Sequence, residues 1–289
     1  DLHRVDRRQR QMCIRDRSEL YTAIIAEAQF VIQEQSLMRN LVKNYTISGG
    51  GKAIQVPIYP AIAAAAVADA TDLGNTAINP TEVTITASEV GVMTTLTDMA
   101  RNSASRNVAA DIGQLFGKAI AKKIDVDLLA LFDGFSTTAG GASAVLAPAA
   151  IFNAAAVLRS LGLPVNECYA VMHPHVAYDL KSGMTNTFAG LDTETSNEAL
   201  RSGYIGQLAG IQLFESANMA NTGTVGDYKV GIFHKDALGL AMMQDLKIEI
   251  QRDASLRADE IVATAVYGVG ELHDSYGVEL TVDSSIVSP

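Results

Sequence analysis

The 289-residue sequence predicts an α+β fold. Three observations carry that prediction. The apolar periodicities run in the order helix, extended runs, long helix, mixed middle, then strands, without the regular βαβ alternation of a parallel α/β sheet. One amphipathic stretch, from about Arg106 to Phe132, spans roughly 40 Å at 1.5 Å per residue, longer than an average domain helix. Hydrophobic residues make up 48% of the chain, enough for a sizeable core, and charged residues only 19%, so much surface is expected to be buried, including between subunits.

The first seventeen residues stand apart. They read DLHRVDRRQRQMCIRDR and hold six Arg and three Asp, a composition found nowhere else in the chain. A basic nucleic-acid arm, an Arg-rich transit peptide and a disordered tail are the biological readings. Back-translation favours another: Met12-Cys13-Ile14-Arg15-Asp16, with Arg7-Arg8-Gln9-Arg10-Gln11 and Asp1-Leu2-His3 before it, matches a transposase sequencing adapter. The natural start is then expected to be missing by an unknown length. Excluding residues 1–17 changes the formal charge from −10 to −13 and leaves Cys168 as the single cysteine. That charge speaks against a dedicated duplex-DNA binder, whose affinity comes from clustered Lys and Arg. One thiol makes no intrachain disulfide and fits a reducing cytosol. Residues 18–289 contain no run of eighteen apolar residues, so no membrane span is expected, and no secretory signal is evident.

Residues 19–38 carry Leu20, Ile24, Ala28, Val31 and Ile32 at helical spacing. Two extended runs follow, Leu41–Ser48 and Lys52–Tyr59, around the turn Gly49-Gly50-Gly51. Pro57 and Pro60 suit a sheet edge or an exit from the sheet. Ala61–Ala70 is Ala-rich and helical by propensity; Gly74, Asn75, Asn79 and Pro80 then mark a turn. Glu82–Ala87 alternates as a half-exposed strand, and Val90–Leu96 reads as its continuation or its partner. From Ile58 to Thr95 there are four acids (Asp69, Asp72, Glu82, Glu89) and no Lys or Arg.

Asp98 and Ser105 are candidate caps for the long helix. Its first apolar stripe is Val108, Ile112, Leu115, Ala119, Val126 and Leu129; its second is Phe116, Ile120, Ile124, Leu128 and Leu131. Asp125 and Asp127 fall on the expected solvent side. Gly134–Ser143 reads as a loop, Pro148 opens a helix to about Leu161, Glu167–Met172 is a strand and Pro174–Leu180 a short helix. Residues 182–203 read as a long loop. Gly210–Glu215, Tyr228–His234, Leu238–Met243, Lys247–Arg252, Glu260–Tyr267 and Val278–Asp283 are the remaining strands.

The motifs of chemistry fail on inspection. Gly49-Gly50-Gly51-Lys52 lacks both the leading Gly of a phosphate loop, where Thr46 stands, and the hydroxyl after Lys, where Ala53 stands. Gly268-Val269-Gly270 lacks the third glycine and the helix of a dinucleotide site. Gly141-Ala142-Ser143-Ala144-Val145 has no closing Gly for a nucleophile elbow. His173-Pro174-His175 is the closest His pair but has no evident third metal ligand, and fits a strand-to-helix turn. Cys168 sits in an apolar strand pattern, as a small buried hydrophobe does. His234 and His273 have no recognisable Ser or Cys partner. No catalytic, cofactor or metal site is predicted.

The ordered series of elements resembles the Hong Kong 97 fold of the major capsid proteins of tailed bacteriophages, most of all those of short-tailed, podovirus-type phages, marine ones included. The stretches that carry the resemblance are Leu41–Pro57 (LVKNYTISGGGKAIQVP), Ala68–Ala87 (ADATDLGNTAINPTEVTITA), the helix within Asp98–Gly134, Tyr204–Ser216 (YIGQLAGIQLFES) and Arg257–Leu280 (RADEIVATAVYGVGELHDSYGVEL). It implies an N-terminal arm at 18–57, an extended β-hairpin loop at 58–96 lying over a neighbouring subunit, a peripheral domain with the spine helix at 97–145 and 235–289, and an axial domain at 146–234. Under this likeness Ala61–Ala70 is extended despite its composition, because intersubunit pairing overrides weak propensity.

The implied function is self-assembly: pentamers and hexamers close into an icosahedral head around a double-stranded DNA genome. The implied partners are further copies of the chain, a scaffolding protein and a portal, with only weak, non-specific contact to the packaged DNA, and no membrane. The location is the virion, assembled in the host bacterial cytoplasm. Acids Asp69 and Asp72 are expected to meet basic positions on a neighbour, such as Arg101, Arg106, Lys118 or Lys122. An encapsulin-type shell of a bacterial nanocompartment, a soluble enzyme and a receptor-binding or tail protein are the competing readings.

Overall fold

The computed structural model describes residues 36–48, 51–60, 77–103, 108–188, 206–219 and 226–286, with Ala28 and scattered positions between 62 and 75. Residues 1–17 and nearly all of the helix expected over 19–38 lie outside the described residues.

The long helix organises the body. After α1 (Leu37–Leu41) and α2 (Asp98–Ser103), it is α3 (Val108–Ala130), prolonged by a 3-10 turn at Leu131–Gly134. Ile112, Phe116, Ile120, Ile124 and Leu128 recur every four residues and are all buried, with Phe132 continuing the row. The buried face is narrower than expected: Leu115 is 63% exposed and Ala119 is exposed. A sheet covers only one flank of the helix, which leaves that part of the first stripe outside.

The covering sheet has four strands in the order β1 (Lys43–Thr46), β10 (Leu238–Asp253), β11 (Ala258–Glu271) and β4 (Ser88–Thr97). β1 runs parallel to β10; the other pairs are antiparallel. Leu240, Leu246, Ile248, Ile261, Ala263, Ala265 and Tyr267 pack toward the helix in one core. The two strands expected at Leu238–Met243 and Lys247–Arg252 are one strand, β10, whose register shifts between Met242 and Lys247. Such irregularities break the two-residue alternation that sequence reading depends on. β4 continues the chain beyond β3 (Thr81–Thr86) rather than pairing with it. β3 instead pairs with β2 (Ala53–Ile58) in a two-stranded ribbon.

The second sheet has six strands in the order β5 (Thr137–Val145), β12 (Gly277–Asp283), β9 (Asp227–His234), β6 (Cys168–Met172), β8 (Ile211–Glu215) and β7 (Gln207–Leu208). Helices α4 (Pro148–Ser160) and α5 (Pro174–Phe188) cover one face, burying Ile151, Leu158, Val176 and Leu180 over Ala170, Val230 and Leu280. From the other face Val171 and Phe233 join the helix core, where Phe132 meets Phe233 and Phe135 with ring centroids 5.3 and 5.9 Å apart.

Three expectations change here. Most of the Gly/Ser/Thr stretch expected as a loop, Gly134–Ser143, is edge strand β5, parallel to β12. Pairing to a neighbour strand overrides a turn-like composition. The helix expected to end at Leu180 runs on to Phe188, through Gly183, whose backbone lies close to Pro148 of α4. Residues 182–188 of the expected long loop are therefore helical, while 189–203 lie outside the described residues. Finally, β5 and β12 belong to the six-stranded sheet, with the strands of 146–234, although the expected boundaries grouped them with the spine helix. Sheet membership follows β pairing across the chain, not sequence neighbourhood. Among the described positions of Ala61–Ala70 none is helical.

Candidate functional site: assembly elements

Buried carboxylates hold the segments that reach outward. Asp125, on α3, is only 2% exposed. Its Oδ1 accepts hydrogen bonds from Ser36 Oγ (3.0 Å) and Met38 N–H (3.1 Å), and its Oδ2 from Leu37 N–H (3.3 Å). The first N–H groups of a helix need outside acceptors. Ser36, at the cap position of α1, does not supply one from its own side chain, so Asp125 caps α1 from another helix. Burial pushes this carboxyl above its ordinary value, and the bonds from Ser36, Met38, Leu37 and Asn218 pull the other way. Asp127 accepts from Tyr267 Oη (2.8 Å) and pairs with Lys123 (2.6 Å). Burial, then Asp127, push the Tyr267 phenol far up. Neither aspartate is the free solvent charge expected from the helical wheel, because α1 and β11 dock over that side of α3.

Two further clamps act on other segments. Arg252 grips Asp98 with two parallel bonds (2.7 and 2.5 Å) and reaches Asp259 at 3.4 Å, tying the far end of the β10–β11 hairpin to the start of α2. Those bonds drive the Arg252 guanidinium further above its ordinary range. Buried Asp179 on α5 accepts from Ser284 Oγ (3.1 Å), Ser285 N–H (2.9 Å) and Ser285 Oγ, holding the segment after β12.

The extended loop behaves differently. Every described residue from 59 to 82 is exposed. Among them Tyr59, Ile62, Val67 and Ile78 are 66, 56, 44 and 49% exposed. Apolar groups gathered along one segment without cover mark a surface that another molecule buries.

The expected charge pairs are placed only in part. Asp69 and Asp72 are exposed on the loop; Lys118 and Lys122 are exposed one turn apart on α3. None of these four is ion-paired to another described residue. Arg101 lies on α2, its side chain outside the description, and Arg106 lies outside the described residues. Among the described residues, neither Asp69 nor Asp72 pairs with Lys118 or Lys122 within the subunit.

The residues tested for chemistry have packing roles. Cys168 is fully buried, gives its thiol to Pro164 O (3.6 Å), and is pushed up to about 11 by burial and by Glu167, far from a reactive thiolate. His173 stacks on Tyr228 at 4.2 Å and meets His175 edge-on at 4.5 Å, and His175 N–H bonds back to His173 Nδ1 (3.2 Å) at the start of α5. Burial and the neighbouring His175 hold His173 below its ordinary value. Buried His234 accepts the Asp236 N–H at Nδ1 (3.2 Å), while His273 stacks on Tyr276 at 4.4 Å. Among the described residues no three His, Cys, Asp or Glu converge as a metal-binding group, and no helix is long and apolar enough to cross a membrane.

Sequence reading missed the anchoring contacts of Asp125, Asp179 and Arg252. A signal existed for Asp125: it lies one turn from Ala121 and from Leu129, both buried.

Comparison with known proteins settles the family. A family model described as phage capsid protein matches residues 80–278. No curated protein sequence matches. Among solved structures the chain is similar to the capsid of the cyanophage P-SCSP1u (20% identity, TM-score 0.67, 86% of this chain and 89% of that one). It is also similar to a Mycobacterium phage Che8 structure (24%, 0.70, 85% and 91%) and to the capsid of Ralstonia phage GP4 (10%, 0.70, 86% and 88%). These likenesses give the α+β Hong Kong 97-like capsid fold. Since the family model covers well over half of the chain, the chain belongs to the phage capsid protein family, a structural protein of the viral head and not an enzyme.

Proposed function

We propose that the protein is the major subunit of a tailed-phage head, tiling as pentamers and hexamers into an icosahedral shell around double-stranded DNA. The family match favours this reading over an encapsulin-type compartment. The observation that carries the mechanism is the loop: a segment exposed throughout its described length, with four large apolar side chains uncovered, is complete only when a neighbouring subunit covers it. On this reading the four-stranded sheet and α3 form the peripheral domain. The six-stranded sheet with α4 and α5 forms the axial domain, which takes β5 and β12 from the flanking sequence. Residues 18–57 are the arm, held at Ser36–Leu41 by Asp125. Asp69 and Asp72 meet Arg101, Arg106, Lys118 or Lys122 of the neighbour. A scaffolding protein and a portal act during assembly in the host cytoplasm, and an acidic chain limits adhesion to the packaged DNA. The kinship to short-tailed, marine phages belongs to this proposal too, supported by the similarity to a cyanophage capsid.

The test is expression of residues 18–289 with a start Met, with and without the scaffolding protein of the same genome, followed by sizing and negative-stain microscopy. Closed or aberrant polyhedral shells at the void volume are expected. A monodisperse monomer under both conditions would overturn the reading.

A further inference from the structure

The extended loop is seated at its base, where Ile85 is its most deeply buried side chain. Ile85 on β3 is 1% exposed, whereas every described residue from 59 to 82 is exposed. Its side chain enters the face of the β10–β11 hairpin turned away from α3. There Gly239 stands opposite Gly270, and Ala241 opposite Gly268, so four residues with at most a methyl group fill one square of the sheet. Alternation along the strands sends Leu240 and Tyr267 to the other face, where both are buried in the helix core. The seat is tight. A Cβ on Gly270 would stand 2.8 Å from Ile85 Cγ1, and one on Gly239 3.0 Å from its Cδ1. A Cβ on Gly268 would stand 2.4 Å from the carbonyl oxygen of Thr86. Gly268-Val269-Gly270, which fails as a dinucleotide motif, thus has a steric role.

We propose that Ile85, seated in the square of Gly239, Ala241, Gly268 and Gly270, is the positioning contact that fixes the direction in which the extended loop leaves the subunit, and through it the geometry of the shell. The inference rests on the proposed function, in which the loop lies over a neighbour. The lever is physical. The six-residue β2–β3 ribbon reaches about 20 Å at roughly 3.4 Å per residue, so a tilt of about 10° at its base moves its end by about 3.5 Å. That displacement exceeds the tolerance of a hydrogen bond. A seat floored by glycines and walled by Leu272 fixes the tilt, because the knob sits directly against backbone that cannot change rotamer.

The experiment compares Gly270→Ala, Gly268→Ala, Ile85→Ala and two doubles, Ile85→Ala with each glycine variant. Dissociated subunits are read by hydrogen exchange at Ile85–Ala87, with protection of α3 as the control for folding, and assembled shells by diameter. Gly270→Ala is expected to speed that exchange by about five- to a hundredfold, the range that overpacking a filled site produces, and to broaden or shift the diameters. Ile85→Ala alone should also speed that exchange, because it removes the knob. Adding it to Gly270→Ala should cancel the further effect of the new methyl, so that the double matches Ile85→Ala alone in both readouts, since the residual Ile85 Cβ would stand 3.7 Å from that methyl. The same addition should not rescue Gly268→Ala, whose conflict is with backbone. Unchanged exchange and diameter in Gly270→Ala or in Ile85→Ala, or a Gly270→Ala effect of undiminished size in the Ile85→Ala background, overturns the proposal. Should the parent chain itself form no shells, the proposed function fails, and exchange alone still decides whether the seat holds the loop.

Discussion

Replacing Asp125 by Ala removes the acceptor shared by the Ser36 hydroxyl, the Leu37 and Met38 amides and the Asn218 side chain. Ser36 and Met38 are 1% and 0% exposed, so water cannot take over there, while Leu37 is only partly buried. At about 1–3 kcal/mol for each buried donor left unpaired, the two buried groups cost about 2–6 kcal/mol. The variant also removes a carboxylate whose burial disfavours its charge, which offsets part of that cost and leaves about 1–4 kcal/mol. The loss should appear first as faster hydrogen exchange across Ser36–Leu41, whose first-turn amides lose their acceptor, and then as a lower unfolding midpoint. Asp125→Asn is the informative control. Its oxygen can still serve Ser36 and Met38, but its amide faces the Leu37 N–H, so about half of the loss is expected. The sign with pH follows from the raised carboxyl. A folded-state value above the unfolded one makes this group's contribution largest below the unfolded value, and that contribution is lost as pH rises through the folded value. Asp125→Asn should remove that dependence. Parent-like exchange at Ser36–Leu41 in Asp125→Ala would refute the reasoning, as would equal damage from Ala and Asn.

Other perturbations test separate parts of the structure. Reversing Asp69 and Asp72 to Lys should lower shell yield and change its salt dependence while leaving subunit unfolding in place; each exposed pair is worth only about 0–1 kcal/mol, but every subunit repeats it. Unchanged yield at all salt concentrations would reject the loop-to-helix pairing. Glu271 is pushed up to about 6 by burial and by the nearby Asp274, from an ordinary 4.5, so its contribution to stability is present below 4.5 and lost as pH rises through about 6. Glu271→Gln should flatten chemical-denaturation midpoints over that window, and a parent-like slope would contradict the assignment. Gly231→Ala places a methyl 2.4–2.6 Å from ring carbons of buried Phe132, and overpacking of this kind costs about 1–3 kcal/mol. Thermal unfolding should show the loss and Phe132→Leu should partly relieve it; a parent-like midpoint for Gly231→Ala would show that the ring cluster has slack.

Much of the element order is legible in the sequence because local periodicity carries it. The four-residue recurrence from Ile112 to Leu128 marks the long helix, and Val83, Ile85 and Ala87 mark the half-exposed strand. What failed is informative. Gly134–Ser143 reads as a loop because glycine, serine and threonine dominate it, and only a neighbour strand makes most of it part of β5. Strand β10 read as two because its register shifts break the alternation. Asp125 and Asp127 read as solvent charges because the wheel of one helix does not show what docks against it.

The sequence by itself determined which segments are helical or extended, which faces are apolar, and, through the ordered series of stretches from Leu41 to Leu280, the family resemblance. Those properties are encoded within a few residues by hydrophobic spacing, glycine and proline. Only the tertiary structure decided partners across long separations: Asp125 with Ser36, Arg252 with Asp98, Asp179 with Ser284, and Ile85 with a square of small residues drawn from two strands. The physical reason is that burial of a charge, or the fit of a side chain against backbone, depends on which surfaces meet, and the meeting residues lie as much as 185 positions apart in the chain.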